Sequence, residues 1–118
     1  MLTLRLHLEL TRESHDEAMA VLRALLGPVR AEPGCMATRL CEGAGDSHDV
    51  TWVEEWRGTD GFEAHLRGTA FRKILAVIEM ASAPPVVEID EVTSRRGFDL
   101  VEEILGSGSV NSTGWRRK

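Results

Sequence analysis

The strongest constraint on the fold is a strict alternation of apolar and polar residues near the N-terminus. Residues 2–10 read LTLRLHLEL, so every second residue is leucine. Successive side chains of a strand point to opposite faces, and the five leucines therefore share one face. The other face is mixed, with Thr3, Arg5, His7 and Glu9. We predict a strand whose leucine face is covered by a second layer of structure.

The segment after this strand has the pattern of a helix and then of a hairpin. Residues 14–17 read SHDE, a capping-box pattern that precedes apolar residues at helical spacing. Proline offers no amide hydrogen, so Gly27-Pro28 is expected to kink or interrupt this helix. Residues 35–42 and 50–56 are predicted to form two antiparallel strands, because a polar, glycine-rich loop joins them.

The rest of the chain continues the alternation of helix and strand. A second helix is predicted from about residue 59, with a break near Gly68. Residues 86–92 are predicted to form a fourth strand, and residues 98–105 a short amphipathic helix. Residues 106–118 have the composition of a disordered tail.

The resulting order is β-α-β-β-α-β, which is the ferredoxin-like arrangement of the α+β class. In that arrangement, two helices pack on one face of a four-stranded antiparallel sheet. We therefore predict a single domain over residues 1–105. The opposite, mixed face of the sheet fits either a solvated surface or a subunit interface, and residue parity leaves both open.

Missing residue types exclude several reaction mechanisms. The chain has no tyrosine and no glutamine, its single asparagine is Asn111, and its two lysines are Lys73 and Lys118. A tyrosine general acid, a glutamine-positioned nucleophile and an asparagine-based oxyanion hole in the core are therefore excluded. The chemistry must use His, Glu, Asp, Arg, Cys or Trp.

The charge balance narrows the expected partners and location. The net charge is −5, and the three cations at residues 116–118 lie in the predicted tail, which leaves −8 on the body. Binding a phosphate backbone needs a concentrated positive surface, so we expect no nucleic-acid partner. No apolar run approaches the ~20 residues of a membrane span, and the first residues lack a secretory signal pattern. We therefore expect a cytoplasmic protein that does not contact membranes.

The two cysteines give no indication of a metal site or a disulfide. Cys35 and Cys41 are six residues apart and match no zinc-site spacing. If both lie on one strand, the rise per residue separates them too far for a disulfide.

Three stretches of the sequence carry a resemblance to a known family. Residues 54–56 read EEW, residues 62–66 read FEAHL, and Phe71 follows. This is similar to the E-x-W, xxHL, xxF signature of the antibiotic biosynthesis monooxygenase family. Residues 32–35 read EPGC and resemble that family's turn into its second strand. The resemblance covers residues 2 to about 93, and it implies a dimeric α/β barrel, a homodimer in which two sheets face each other.

Departures from the family's patterns narrow the reaction that the resemblance implies. Haem-degrading relatives carry a histidine iron ligand where this chain has Leu75, and leucine cannot coordinate iron. Anthrone oxygenases carry a pocket asparagine where this chain has Trp52 and a tyrosine where it has Phe62. The resemblance is closer to the quinol-monooxygenase-like branch, whose signature includes His65.

The resemblance places a candidate site on the helix-covered face of the third strand. Alternation puts Trp52, Glu54 and Trp56 on one face, and His65 follows on the second helix. Indole rings offer stacking area to a flat phenol, and a His–Glu pair can remove a phenolic proton. We predict His65 as the catalytic base and Glu54 as the group that orients it or holds its charge. The predicted substrate-binding residues are Trp52, Trp56, Phe62, Phe71, Arg39 and His7.

The implied activity is the oxidation of a quinol, anthrone or similar aromatic phenol by dioxygen, without a cofactor or a metal. Each residue also has a structural interpretation. Trp56 and Phe71 lie where core packing alone selects large apolar side chains, and Glu54 fits a carboxylate bonded to an amide or an arginine. His7 and Arg39 reach either a pocket mouth, a dimer interface or solvent.

Two other functions remain open from the sequence. A binding or stress protein with the family's pocket and no turnover is favoured by the lost asparagine and tyrosine positions. An isomerase or tautomerase would use the same histidine and glutamate to move protons without oxygen.

Overall fold

The computed structural model of the chain describes residues 1–106, so residues 107–118 of the predicted tail lie outside the described residues. The elements are β1 (Leu2–Leu8), α1 (Arg12–Arg30), β2 (Cys35–Glu42), β3 (Val50–Trp56), α2 (Thr59–Leu66), α3 (Thr69–Ile78), β4 (Val86–Glu91) and α4 (Phe98–Leu105). The predicted bounds of β2, β3 and α4 are confirmed, and the break near Gly68 separates α2 from α3.

The four strands form one antiparallel sheet in the order β2-β3-β1-β4. β1 lies in the interior of the sheet, where Leu2 is opposite Trp56 of β3 and Glu91 of β4. This topology confirms the predicted ferredoxin-like α+β fold. Cys35 and Cys41 lie near the two ends of β2, and both are free thiols, as predicted.

The hydrophobic core lies between one face of the sheet and the helices α1, α2 and α3. All five leucines of the N-terminal alternation are buried, so the prediction of a covered leucine face is confirmed. The other buried apolar residues of the cluster are Ala18, Met19, Leu22, Leu25, Val29, Val50, Trp52, Trp56, Phe62, Ile74 and Val77. Burial of this apolar surface is the main stabilising contribution to the fold.

The predicted start of α1 is wrong, and Gly27-Pro28 does not interrupt the helix. The helix begins at Arg12 and not after Ser14, because the side chain of Thr11 accepts a hydrogen bond from the backbone amide of Ser14 at 3.2 Å and caps it. The helix also continues past Pro28 to Arg30. A residue before proline normally avoids helical angles because its Cβ clashes with the proline ring, and Gly27 has no Cβ.

β4 and α4 leave much of their apolar surface uncovered. All six residues of β4 are exposed, and Val86, Val87 and Ile89 are each about half exposed. In α4, Ile104 is 74% exposed and Leu105 63% exposed. These surfaces are available to a partner in the single chain.

Candidate active site

The inward face of β3 carries a buried carboxylate between two tryptophans. Trp52, Glu54 and Trp56 share the helix-covered face, as predicted from the alternation, and none is more than 1% exposed. The indole Nε1 of Trp52 donates to one oxygen of Glu54 at 2.8 Å, and that of Trp56 donates to the other at 2.9 Å. Both indole groups are thereby satisfied in a region without water contact.

His65 of α2 completes this arrangement and joins it to a second carboxylate. Its Nε2 lies 2.8 Å from Glu54 Oε2, and its Nδ1 lies 3.0 and 3.1 Å from the two oxygens of Glu32. A neutral imidazole has a single N–H, so one ring nitrogen would present a lone pair to a carboxylate. The geometry therefore fits an imidazolium that donates from both nitrogens.

The electrostatics of His65 agree with this geometry. Burial lowers the pKa of His65, but hydrogen bonds and charge interactions with Glu54 and then Glu32 outweigh it and raise the pKa above 6.5. The imidazole is completely buried, as is Glu54, while the Glu32 side chain is 27% exposed. Together, Glu32, His65 and Glu54 form what we call the buried triad.

Aromatic rings enclose the imidazole. The ring centroids of Trp56 and His65 are 4.8 Å apart, and Phe71 approaches His65 edge-on at 5.4 Å. Phe62 packs against Trp56 at 6.3 Å. The structure thus brings together six of the eight predicted site residues: Trp52, Glu54, Trp56, Phe62, His65 and Phe71.

Arg39 and His7 do not join this cluster within one chain. Both lie on the opposite face of the sheet, because their strand positions pair with the odd-numbered residues of β3. Arg39 donates to Glu55 at 2.9 Å, and Arg95 donates to the other oxygen at 3.1 Å. Hydrogen bonds from Arg39 and Arg95 lower the pKa of Glu55. In the single chain these two predicted substrate-binding residues therefore lie apart from the tryptophans, on the face where a dimer interface or solvent contact was the alternative expectation.

Glu32 is the member of the triad that sequence reasoning did not single out. In the sequence, Glu32 stands out only as the first residue of the EPGC turn. In the structure, this turn contacts the start of α2. The amide of Arg57 donates to the carbonyl of Gly34 at 2.8 Å, and a Cβ on Gly61 would lie 2.6 Å from the carbonyl oxygen of Pro33. This close backbone packing carries the Glu32 carboxylate to the imidazole.

A large cavity lies elsewhere. It is a groove of about 780 Å³ between α1 and α3, and its lining is mostly apolar, with Glu17 and Lys73 as the charged side chains. None of the predicted site residues lines it. Within residues 1–106, no three His, Cys, Asp or Glu side chains are placed to hold a metal ion.

No helix among the described residues is both long enough and apolar enough to cross a membrane.

Comparison with known proteins finds a family that matches the sequence and solved structures that match the fold. The family model for antibiotic biosynthesis monooxygenases matches residues 1–77. Rv0793 from Mycobacterium tuberculosis is 21% identical with a TM-score of 0.72, over 81% of this chain and 98% of that one. PA3566 from Pseudomonas aeruginosa is 26% identical with a TM-score of 0.68, over 79% and 94%. A solved antibiotic biosynthesis monooxygenase is 21% identical with a TM-score of 0.70, over 80% and 100%. No curated protein sequence shows a significant match.

Proposed function

Because the chain belongs to the antibiotic biosynthesis monooxygenase family, we propose that it is a cofactor-independent monooxygenase. Its substrate would be a quinol, an anthrone or a similar aromatic phenol, and its oxidant dioxygen. The observation that supports this proposal is the His65–Glu54 pair at 2.8 Å, enclosed by Trp52, Trp56 and Phe71. A proton-transfer group in an aromatic, water-poor setting is what oxidation of a phenol by dioxygen requires.

The first step that we propose is removal of the phenolic proton. His65, in its neutral form, accepts the proton, and the Glu54 carboxylate stabilises the imidazolium that results. The indole hydrogen bonds hold the Glu54 carboxylate in place, so this oxygen needs no reorientation when the charge appears. Opening of the Phe71 side of the cluster would admit the substrate, since Phe71 is partly exposed and Trp52 and Trp56 are not.

The later steps need an enclosed space and the return of one proton. The phenolate gives one electron to dioxygen, the radical pair combines at a ring carbon to form a peroxide anion, and the His65 imidazolium returns its proton to give a hydroperoxide. The hydroperoxide loses water to leave a carbonyl. One oxygen atom remains in the product and the other leaves as water, so the substrate itself supplies all the electrons. Excluding bulk water protects these intermediates from side reactions.

A second candidate function is ligand binding without turnover. One observation favours it: His65, Glu54, Trp52 and Trp56 are each 0–1% exposed and satisfy one another's hydrogen bonds. A closed cluster of this kind stabilises a core whether or not it reacts. The separate apolar groove between α1 and α3 would then be the binding site.

We also propose that two copies of the chain pair through their open sheet faces. That face carries Arg39, Glu55 and Arg95 in an ion-pair network, and on β4 it includes the half-exposed Val86, which lies opposite His7. A partner sheet would cover both, and it would bring the opposite-face residues Arg39 and His7 to a shared interface.

Oxygen uptake tests the proposed reaction. Purified, metal-stripped protein is mixed with a panel of reduced quinones and anthrones, and autoxidation is subtracted. We expect uptake that His65→Gln abolishes and that His15→Gln, a change at a histidine outside the cluster, retains. Panel compounds that raise the melting temperature without uptake would favour binding, and product formed without oxygen would favour an isomerase. Either outcome would contradict the monooxygenase proposal.

A further inference from the structure

The buried triad has a solvent contact at one end. Glu54 and His65 are fully buried, whereas 27% of the Glu32 side chain is exposed. Of the groups in contact with the imidazole, two are charged, Glu54 from β3 and Glu32 from the turn before β2, while Trp56 and Phe71 contribute uncharged rings. Any proton that leaves or reaches His65 through a titratable neighbour therefore passes through one of these carboxylates.

The two carboxylates differ in what they can do with a proton. Glu54 accepts from three N–H groups, those of Trp52, Trp56 and His65, so both of its oxygens are occupied. Within residues 1–106, Glu32 forms its one ion pair with His65, and its exposed part is open to water. Glu54 is therefore the enclosed partner of the imidazole, and Glu32 is the partner that water can reach.

We propose that Glu32 is the positioning residue through which the buried His65–Glu54 pair exchanges protons with solvent. The Nδ1 proton moves to the Glu32 carboxylate 3.0 Å away, and from there to water. This leaves a neutral imidazole whose Nε2–H still donates to Glu54. The imidazole then accepts one proton from a substrate and returns it to the peroxide, and a proton taken up through Glu32 restores the resting state.

This inference rests on the proposed function for its catalytic use, but the exchange itself does not require a substrate. In the resting geometry both ring nitrogens donate to carboxylates, so His65 cannot accept a proton until it has lost one. Glu32 supplies that route without any movement of the core. The backbone contact between Pro33 and Gly61 holds the turn in place, which keeps the two groups within hydrogen-bond distance.

The test is nuclear magnetic resonance of protein with ¹⁵N-labelled histidine, which reports both the titration of His65 and the exchange of its N–H protons with water. Glutamine at position 32 can still accept a hydrogen bond from Nδ1 but cannot carry a proton. We expect Glu32→Gln to slow exchange about a hundredfold, the lower end of what a positioned acid–base group contributes. Glu42→Gln is the matched control, because Glu42 faces His15 at 3.6 Å, and it should leave exchange at His65 unchanged.

Exchange at wild-type speed in folded Glu32→Gln would overturn the proposal, as would faster exchange. If Glu32→Gln does not fold, Glu32→Asp decides the question. Its carboxylate is one methylene shorter, so exchange should be slower than in the wild type, and equal rates would overturn the proposal.

The catalytic use has its own readout in the pH profile of kcat/KM. Removing the Glu32 charge destabilises the imidazolium, so the acidic limb of the profile should move to lower pH in Glu32→Gln. A purely structural role would lower activity without moving that limb. Slowed exchange in a protein that oxidises no panel compound would support the exchange route and contradict the proposed function, so the two proposals fail separately.

Discussion

Replacing His65 by phenylalanine should show how much the buried triad stabilises the fold. Phenylalanine keeps an aromatic ring between Trp56 and Phe71 but removes both N–H donors. The Glu54 carboxylate would remain fully buried, with two indole donors and no cation. Removing one partner of a buried ion pair typically costs about 3–5 kcal/mol, and we expect the free energy of unfolding to fall by that amount.

Urea unfolding followed by tryptophan fluorescence measures this loss, with all variants at one protein concentration. With a slope of about 2 kcal/mol per M, the midpoint should fall by about 1.5–2.5 M. His15→Phe is the control, because the same substitution there breaks contacts of 3.3 Å with Asp16 and 3.6 Å with Glu42, two exposed carboxylates. That change should cost less than about 1 kcal/mol. Equal falls in the two variants would refute the reasoning that burial gives the triad its larger contribution.

Three further outcomes follow from the same geometry. Because folding raises the pKa of His65 above 6.5, its protonation stabilises the fold fully below that pH, and the stabilisation is lost as the pH rises through the folded-state pKa. Urea midpoints should therefore fall from about pH 6 to about pH 9 in the wild type, and this part of the fall should be absent in His65→Phe. Gly61→Ala would place a Cβ 2.6 Å from the carbonyl oxygen of Pro33, so thermal unfolding should show a loss of about 1–3 kcal/mol, whereas Gly58→Ala, with no atom within 4 Å, should change little. Sedimentation at micromolar concentration should give a dimer, and a monomer would contradict the proposed pairing of sheets.

Much of the fold was predictable because the strands have one buried face. The period of two in β1 requires a covered leucine face, and the same period in β3 places Trp52, Glu54 and Trp56 together. The start of α1 was wrong because Thr11 and Ser14 are both good caps, and local sequence does not decide between them. Its passage through Pro28 is eased by Gly27, which has no Cβ to clash with the proline ring.

The candidate site was harder to predict, because its members meet through tertiary contacts. Glu32 precedes His65 by 33 residues, and its EPGC motif indicates a turn without indicating which helix that turn contacts. The contact depends on Gly61, whose missing side chain lets the two backbones approach. Conversely, arginine is a residue type expected in a substrate pocket, but the alternation of β2 places Arg39 on the sheet face opposite the tryptophans.

The exposed edge strand β4 determines how the purified protein should be handled. Its outer edge presents unpaired backbone groups beside half-exposed Val86 and Val87, a combination that templates pairing with other chains. The same strand carries three acidic residues, Glu88, Asp90 and Glu91. Repulsion between these like charges opposes edge-to-edge association. Acid below about pH 4 removes that repulsion by protonating the carboxylates, and high salt weakens it by screening. Aggregation during acid elution or salting-out is therefore the expected failure of a preparation, and neutral, low-salt buffers are the remedy.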